Sequence, residues 1–279
     1  MKKRKRINRN SIPFLLLAII HLGMLAFLVV QKRDKTTWLL LLSNVGLAYF
    51  FEYIVLNLFN AYTYKPSIIK KRYLDNIFGA ILSQGIFVPI TTTFLTIFQK
   101  GWRWRLGFIF YFMFIEKLFI RLNIYKVNWW KSIYTVILMP IYFFISNKFY
   151  KTLLLKKDWS LKIAHFLSIE VIGINLLYIS ALKREIRFGR GHHHTWREHF
   201  IIGPLYSVFL NIILVMNTTK SGLLHRMYTL ITFIGIDQIL VKFGILKMNF
   251  KQSLRTIPIH VFMILVSRTL YHWIYDTKS

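Results

Sequence analysis

The chain has 279 residues, 55% of them hydrophobic, no cysteine and a formal net charge of +28, with a mean hydropathy of +0.46. So apolar a composition lies outside the range of ordinary soluble domains, and the lack of cysteine excludes disulfides, thiolate metal sites, iron–sulfur clusters, thiol catalysis and cysteine lipidation. The positive charge does not indicate nucleic acid. Lys and Arg fall in short segments between apolar runs, with no contiguous basic footprint, and there they anchor helices and attract anionic lipid, the partner expected.

In chain order, the basic segment MKKRKRINRN (1–10) precedes an apolar run at 12–30. That run is longer than the ~7–15 residues of a cleaved signal and no small-x-small site follows it, so it reads as an uncleaved first span. Runs at 38–59 and 76–98 come next, then two weaker ones at 106–122 and 129–147, then 163–181, 200–217, 227–246 and 256–275. Each is close to the length that crosses ~30 Å of hydrocarbon. The runs are continuous rather than alternating, which argues against a β-barrel.

The expectation is an all-α polytopic transmembrane bundle of about eight or nine spans, forming a single integral membrane domain over 1–279 with short connections and no evident internal repeat. The tryptophans, among them Trp38, Trp102, Trp104, Trp129, Trp130 and Trp159, sit near run ends like an interfacial belt. The side holding residues 1–10 carries more Lys and Arg than the other, which places the N-terminus in the cytoplasm.

Polar residues inside apolar runs mark where to look, because a charge in hydrocarbon is costly. They are Glu52, Glu170, Asp237 and Arg268. Depth along the spans suggests Glu170 or Asp237 as the partner of Arg268, and places Glu52 apart. Such acids serve an ion pathway or polar cavity, or lock helices together through hydrogen bonds. Glu116 beside Lys117, near the end of a weak run, reads as an interface pair.

The loop Gly189–His199 is the densest polar cluster. His192, His193, His194, Glu198 and His199 offer nitrogen and carboxylate ligands that suit zinc, iron or manganese. They form neither H-E-x-x-H nor a repeated histidine box, and His165, His225 and His260 join them only if the fold brings them in. Arg187, Arg190 and Arg197 repel a cation and suit a phosphate or lipid headgroup, with Gly189 and Gly191 allowing the backbone to approach an anion. A metal site, an anion site and an interfacial loop without a ligand remain open alternatives.

The stretches FEYIVLNLFNAYTYKP, DNIFGAILSQGIFVP and NWWKSIYTVILMPIYFFISNKFYK resemble small, uncharacterised multi-span membrane proteins of Bacillus-type bacteria. The resemblance covers roughly the first 160 residues and implies a bacterial cell (cytoplasmic) membrane, with no catalytic motif. The sequence therefore leads to a multi-pass protein without a cofactor or an indicated protein partner. The role expected is non-enzymatic: transport of a small solute or ion, or binding of an anionic lipid. The competing class is a membrane-embedded enzyme acting on a lipid through the loop at 189–199.

Overall fold

The computed structural model describes residues 8–191, 194–220 and 222–275. Apart from two short ladders the fold is all-helical, and it divides into two compact units, Met1–Lys156 and Lys157–Ser279. In the first unit, α1 (Ser11–Gln31), α2 (Lys35–Leu58), α3 (Arg72–Ile97) and α5 (Ser132–Leu154) are long and apolar enough to cross a membrane. The same holds for α6 (Asp158–Lys183), α7 (Trp196–Thr218) and α9 (Phe250–Tyr275) of the second unit, which makes seven among the described residues.

Two further helices occupy expected spans but are not among those seven: α4 (Trp102–Arg121) and α8 (Leu223–Lys242). Arg103, Arg105, Glu116, Lys117 and Arg121 interrupt α4, and Arg226, Asp237 and Lys242 interrupt α8. The apolar run at 227–246 is also not one element. Its helix stops at Lys242, Gly244 takes a φ of +67°, and Leu246 has already entered a strand.

Local chemistry sets the helix ends. Asp34 accepts the Thr37 N–H at 2.6 Å and opens α2. A reciprocal Thr195–Glu198 capping box opens α7. The left-handed residues Asn60, Gln99, Asn123, Arg184 and Gly244 close their helices, as orphan carbonyls at a C-terminus require. Helices α2 and α3 each contain a π-helical turn, Tyr53–Leu58 and Ser83–Phe87, and such turns concentrate at functional sites.

In the first unit the strand β1 (Tyr62–Tyr64) pairs antiparallel with β2 (Tyr125–Val127), Tyr64 opposite Tyr125. In the second, β3 (Arg187–Phe188) pairs antiparallel with β4 (Leu246–Lys247), Phe188 opposite Leu246. The order α2-β1-α3-α4-β2-α5 thus recurs as α6-β3-α7-α8-β4-α9. The run 112–135 aligns without a gap on 233–256, with identical residues at Phe112/Phe233, Ile115/Ile236, Ile124/Ile245, Lys126/Lys247, Asn128/Asn249, Ser132/Ser253 and Thr135/Thr256.

Backbone details repeat as well. Asn123 and Gly244, aligned, are both left-handed. Lys65 N–H donates to the Ile124 carbonyl and Gly189 N–H to the Ile245 carbonyl, each at 2.9 Å. The last strand residue donates its N–H to a side chain at the start of the next helix: Tyr64 to Asn76 Oδ1 at 2.7 Å, Phe188 to His199 Nδ1 at 3.0 Å. The chain therefore does contain an internal repeat, correcting the sequence reading, and α1 stands outside it.

Candidate functional site

The first unit encloses a cavity of about 420 Å³. Its polar end is built by the β1–β2 ladder and the helix ends beside it. Tyr62, Tyr64, Tyr125 and Trp130 form an aromatic cluster, with Tyr62 at 5.2 Å from Tyr125 and 5.5 Å from Trp130, and Tyr64 at 5.2 Å from Tyr125, between ring centroids. All four line the cavity. Burial pushes the phenols of Tyr62, Tyr64 and Tyr125 far above the ordinary tyrosine range, and the nearby charge of Glu52 adds to this.

Glu116 lies in the same wall and is its only acid; no Lys, Arg or His lines the cavity among the described residues. Its Oε1 accepts from Ser132 Oγ at 2.7 Å and its Oε2 from Thr135 Oγ1 at 2.8 Å. Trp130 Nε1 donates to Thr135 Oγ1 at 3.2 Å, so indole, hydroxyl and carboxyl form one chain. Behind this cluster, Glu52 accepts from Tyr62 Oη at 2.6 Å and from Gln84 Nε2 at 3.3 Å, which fixes the phenol's direction. The Tyr111 hydroxyl, on the cavity wall, is buried without a partner in the protein. The other walls are apolar, and Ile54 and Ile141, each 48% exposed, stand where they reach the protein surface.

The second unit has a smaller pocket, about 50 Å³, lined by Tyr206, Ser207, Asn211, Asp237, Thr256 and His260 among others. Asp237 is 2% exposed. It accepts from Tyr206 Oη at 2.5 Å and Thr256 Oγ1 at 3.3 Å and pairs with His260 Nε2 at 2.9 Å. Glu170, fully buried, accepts from Asn211 Nδ2 at 2.6 Å and Ser207 Oγ at 3.2 Å, while its Oε1 has no protein partner. Such a volume holds a few waters rather than an organic ligand.

The four polar residues singled out in the sequence thus fall in separate places. Glu52 belongs to the first unit; Asp237 lines the small pocket of the second, and Glu170 bonds to two of its lining residues, Ser207 and Asn211. Arg268 pairs with neither: its neighbours are Lys220, His225 and Arg226, and it makes no ion pair among the described residues. The expected Arg268 pair is replaced by neutral donors around Glu170 and by His260 beside Asp237. Glu116, set aside as an interface pair, turns out to line the largest cavity described here. The signal that finds it is the repeat, which aligns Glu116 with Asp237.

In the loop, His192 and His193 lie outside the described residues. His194 is buried, with neither ring nitrogen partnered in the protein. Its carbonyl accepts from Arg187 Nε at 2.9 Å, and the Arg187 guanidinium lies 3.3 Å over the Trp196 ring. Glu198 is engaged in the helix cap and His199 Nδ1 by Phe188 N–H. Arg190 and Arg197 are exposed. Among the described residues no three His, Cys, Asp or Glu side chains gather as a metal site. The chain matches no family model, no curated protein and no solved structure.

Proposed function

We propose that this is an integral protein of a bacterial cytoplasmic membrane, N-terminus inside, which binds and carries an amphiphile in the cavity of its first unit without chemically altering it. Seven helices of sufficient length and apolarity support the membrane setting. Two more crossings, α4 and α8, complete nine: each has 20 residues, enough for ~30 Å at a rise of ~1.5 Å per residue. The acid in each is satisfied inside its own unit, Glu116 by two hydroxyls and Asp237 by His260, Tyr206 and Thr256, which lowers the cost of crossing.

One observation carries the amphiphile reading. A cavity of about 420 Å³ is apolar over most of its wall, opens at exposed isoleucines, and ends at a cluster of one carboxyl, one carboxamide and four amphipathic rings. A purely apolar molecule has no use for the polar end, and a small ion has none for the apolar walls. Transport and lipid binding share this first step.

The test is photolabelling of the protein in nanodiscs with an alkyl chain bearing a diazirine. Saturable labelling of α2, α3, α4 and α5 residues that line the cavity is expected, removed by excess unlabelled amphiphile. Labelling that rises without saturation and falls only on the outer helix faces refutes the reading. In the loop Gly189–His199, on which the enzyme alternative rests, Arg187, Glu198 and His199 each have a structural partner.

A further inference from the structure

The internal repeat compares the two acid sites position by position. Thr135 and Thr256 are aligned, and each hydroxyl lies within hydrogen-bond distance of the acid of its own unit: Thr135 of Glu116 at 2.8 Å, Thr256 of Asp237 at 3.3 Å. One helical turn further on, the aligned residues are Met139 and His260. Both lie on the threonine's face of the helix and both line their unit's cavity. In the second unit the His260 imidazole fills this space and meets the Asp237 carboxyl at 2.9 Å, within a pocket of about 50 Å³. In the first, Met139 has no nitrogen to offer, and the space is about 420 Å³.

We infer that the amphiphile of the first unit carries an organic ammonium head, whose nitrogen sits against Glu116 in the place that the His260 imidazole takes against Asp237. The inference rests on the amphiphile reading above and names its ligand class. Three features agree with it. The sole acid on the wall is unopposed by any Lys, Arg or His among the described residues, so an anionic head meets repulsion and a cationic one does not. Four aromatic rings, packed on one another at 5.2 to 5.5 Å between centroids, line the polar end, and an aromatic face within about 6 Å attracts an ammonium group. Glu52 fixes the Tyr62 hydroxyl, which turns that ring into a wall of set orientation.

Physics also assigns selectivity to the head. A tail that leaves lipid for an apolar cavity gains little, because lipid chains are as apolar as leucine. What separates one amphiphile from another is therefore the charged end, where a desolvated ammonium–carboxylate contact with hydrogen bonding is strong.

The experiment is competition against the diazirine probe in nanodiscs by three amphiphiles of one chain length: dodecylammonium, dodecanol and dodecyl phosphate. The ammonium should compete about tenfold or more better than the alcohol, as one charge-assisted contact provides, and the phosphate worst. Glu116→Gln should remove that advantage, so that the ammonium competes no better than dodecanol. Met139→His should bring an imidazole to Glu116 and weaken the ammonium likewise. Equal competition by all three, or a Glu116→Gln protein that keeps the preference, overturns the ammonium head while the amphiphile site stands. No competition by any of them overturns the amphiphile site itself. If Met139→His fails to fold, the ranking in the unaltered protein and in Glu116→Gln decides the matter.

Discussion

Two glycines at matching places in the repeat should respond in opposite ways to alanine. Each sits on the first helix after a strand and faces that strand's last buried ring. At Gly79 a Cβ would lie 2.4 Å from Tyr64 Cβ and 2.9 Å from its Cγ; at Gly203 the nearest atom is Phe188 Cδ2 at 3.5 Å, an ordinary contact. Tyr64 cannot step aside. Its N–H is held by Asn76, its backbone pairs with Tyr125, and its ring packs on Tyr62 and Phe14. Overpacking of this kind costs about 1–3 kcal/mol, and so close an approach belongs at the upper end. Replacing a mid-helix glycine returns about 1 kcal/mol in helix propensity. Gly79→Ala should therefore lose about 2 kcal/mol net and Gly203→Ala gain up to about 1 kcal/mol. Reversible unfolding of both variants in mixed micelles measures the difference. Gly79→Ala should also weaken dodecylammonium binding, because Tyr64 lines the polar end of the cavity, whereas Gly203→Ala should not. Equal stability of the two variants, or a larger loss at Gly203, would refute the packing argument.

Thr195→Ala should cost about 1 kcal/mol by removing the Thr195–Glu198 capping box of α7, read from the same unfolding transition. The phenols of Tyr62, Tyr64 and Tyr125 give a pH dependence whose sign is set by burial. Their neutral form is favoured in the folded state, so their contribution is complete below about pH 10, the ordinary phenol value in the unfolded chain. Above that pH the unfolded chain ionises and the folded one does not, and stability should fall by up to about 1.4 kcal/mol per pH unit for each ring. Unfolding curves at rising alkaline pH test this, with Tyr125→Phe expected to flatten the slope; an unchanged slope defeats it. Arg268→Gln should change stability by no more than about 0.5 kcal/mol, since no acid among the described residues depends on it. A loss of several kcal/mol, measured by unfolding, would restore the ion pair read from the sequence.

The helices were legible because long apolar runs leave the backbone few other folds. An unbroken apolar run of span length with Lys or Arg at its ends has few other folds available, and α1, α2, α3, α6, α7 and α9 begin or end close to the runs that announce them. The strands were not legible. Each is two or three residues long, and Leu246 hides at the tail of an apolar run that continues the hydropathy of α8. Trp130 shows the same limit. It sits near a run end like Trp129, yet Trp129 is 46% exposed and Trp130 is 8% exposed on the cavity wall. Hydropathy places a residue along its apolar run but says nothing of which side of its helix it occupies.

The acids sharpen the point. Glu52, Glu170 and Asp237 drew notice as charges in apolar runs, and each is indeed buried. Depth alone invited a pairing with Arg268, because depth is what a sequence displays. The fold decides pairing by helix face instead, and there uncharged donors serve Glu52 and Glu170, with an imidazole for Asp237. Glu116 escaped because its run is weak and Lys117 follows it. Comparison within the chain recovers it: the aligned Glu116 and Asp237 share a threonine donor, and the position one turn on has methionine in one unit and histidine in the other. A duplicated unit carries its own control. Where one copy fills its acid site with its own side chain and the other leaves a cavity, the filled copy specifies the chemistry that the open one lacks.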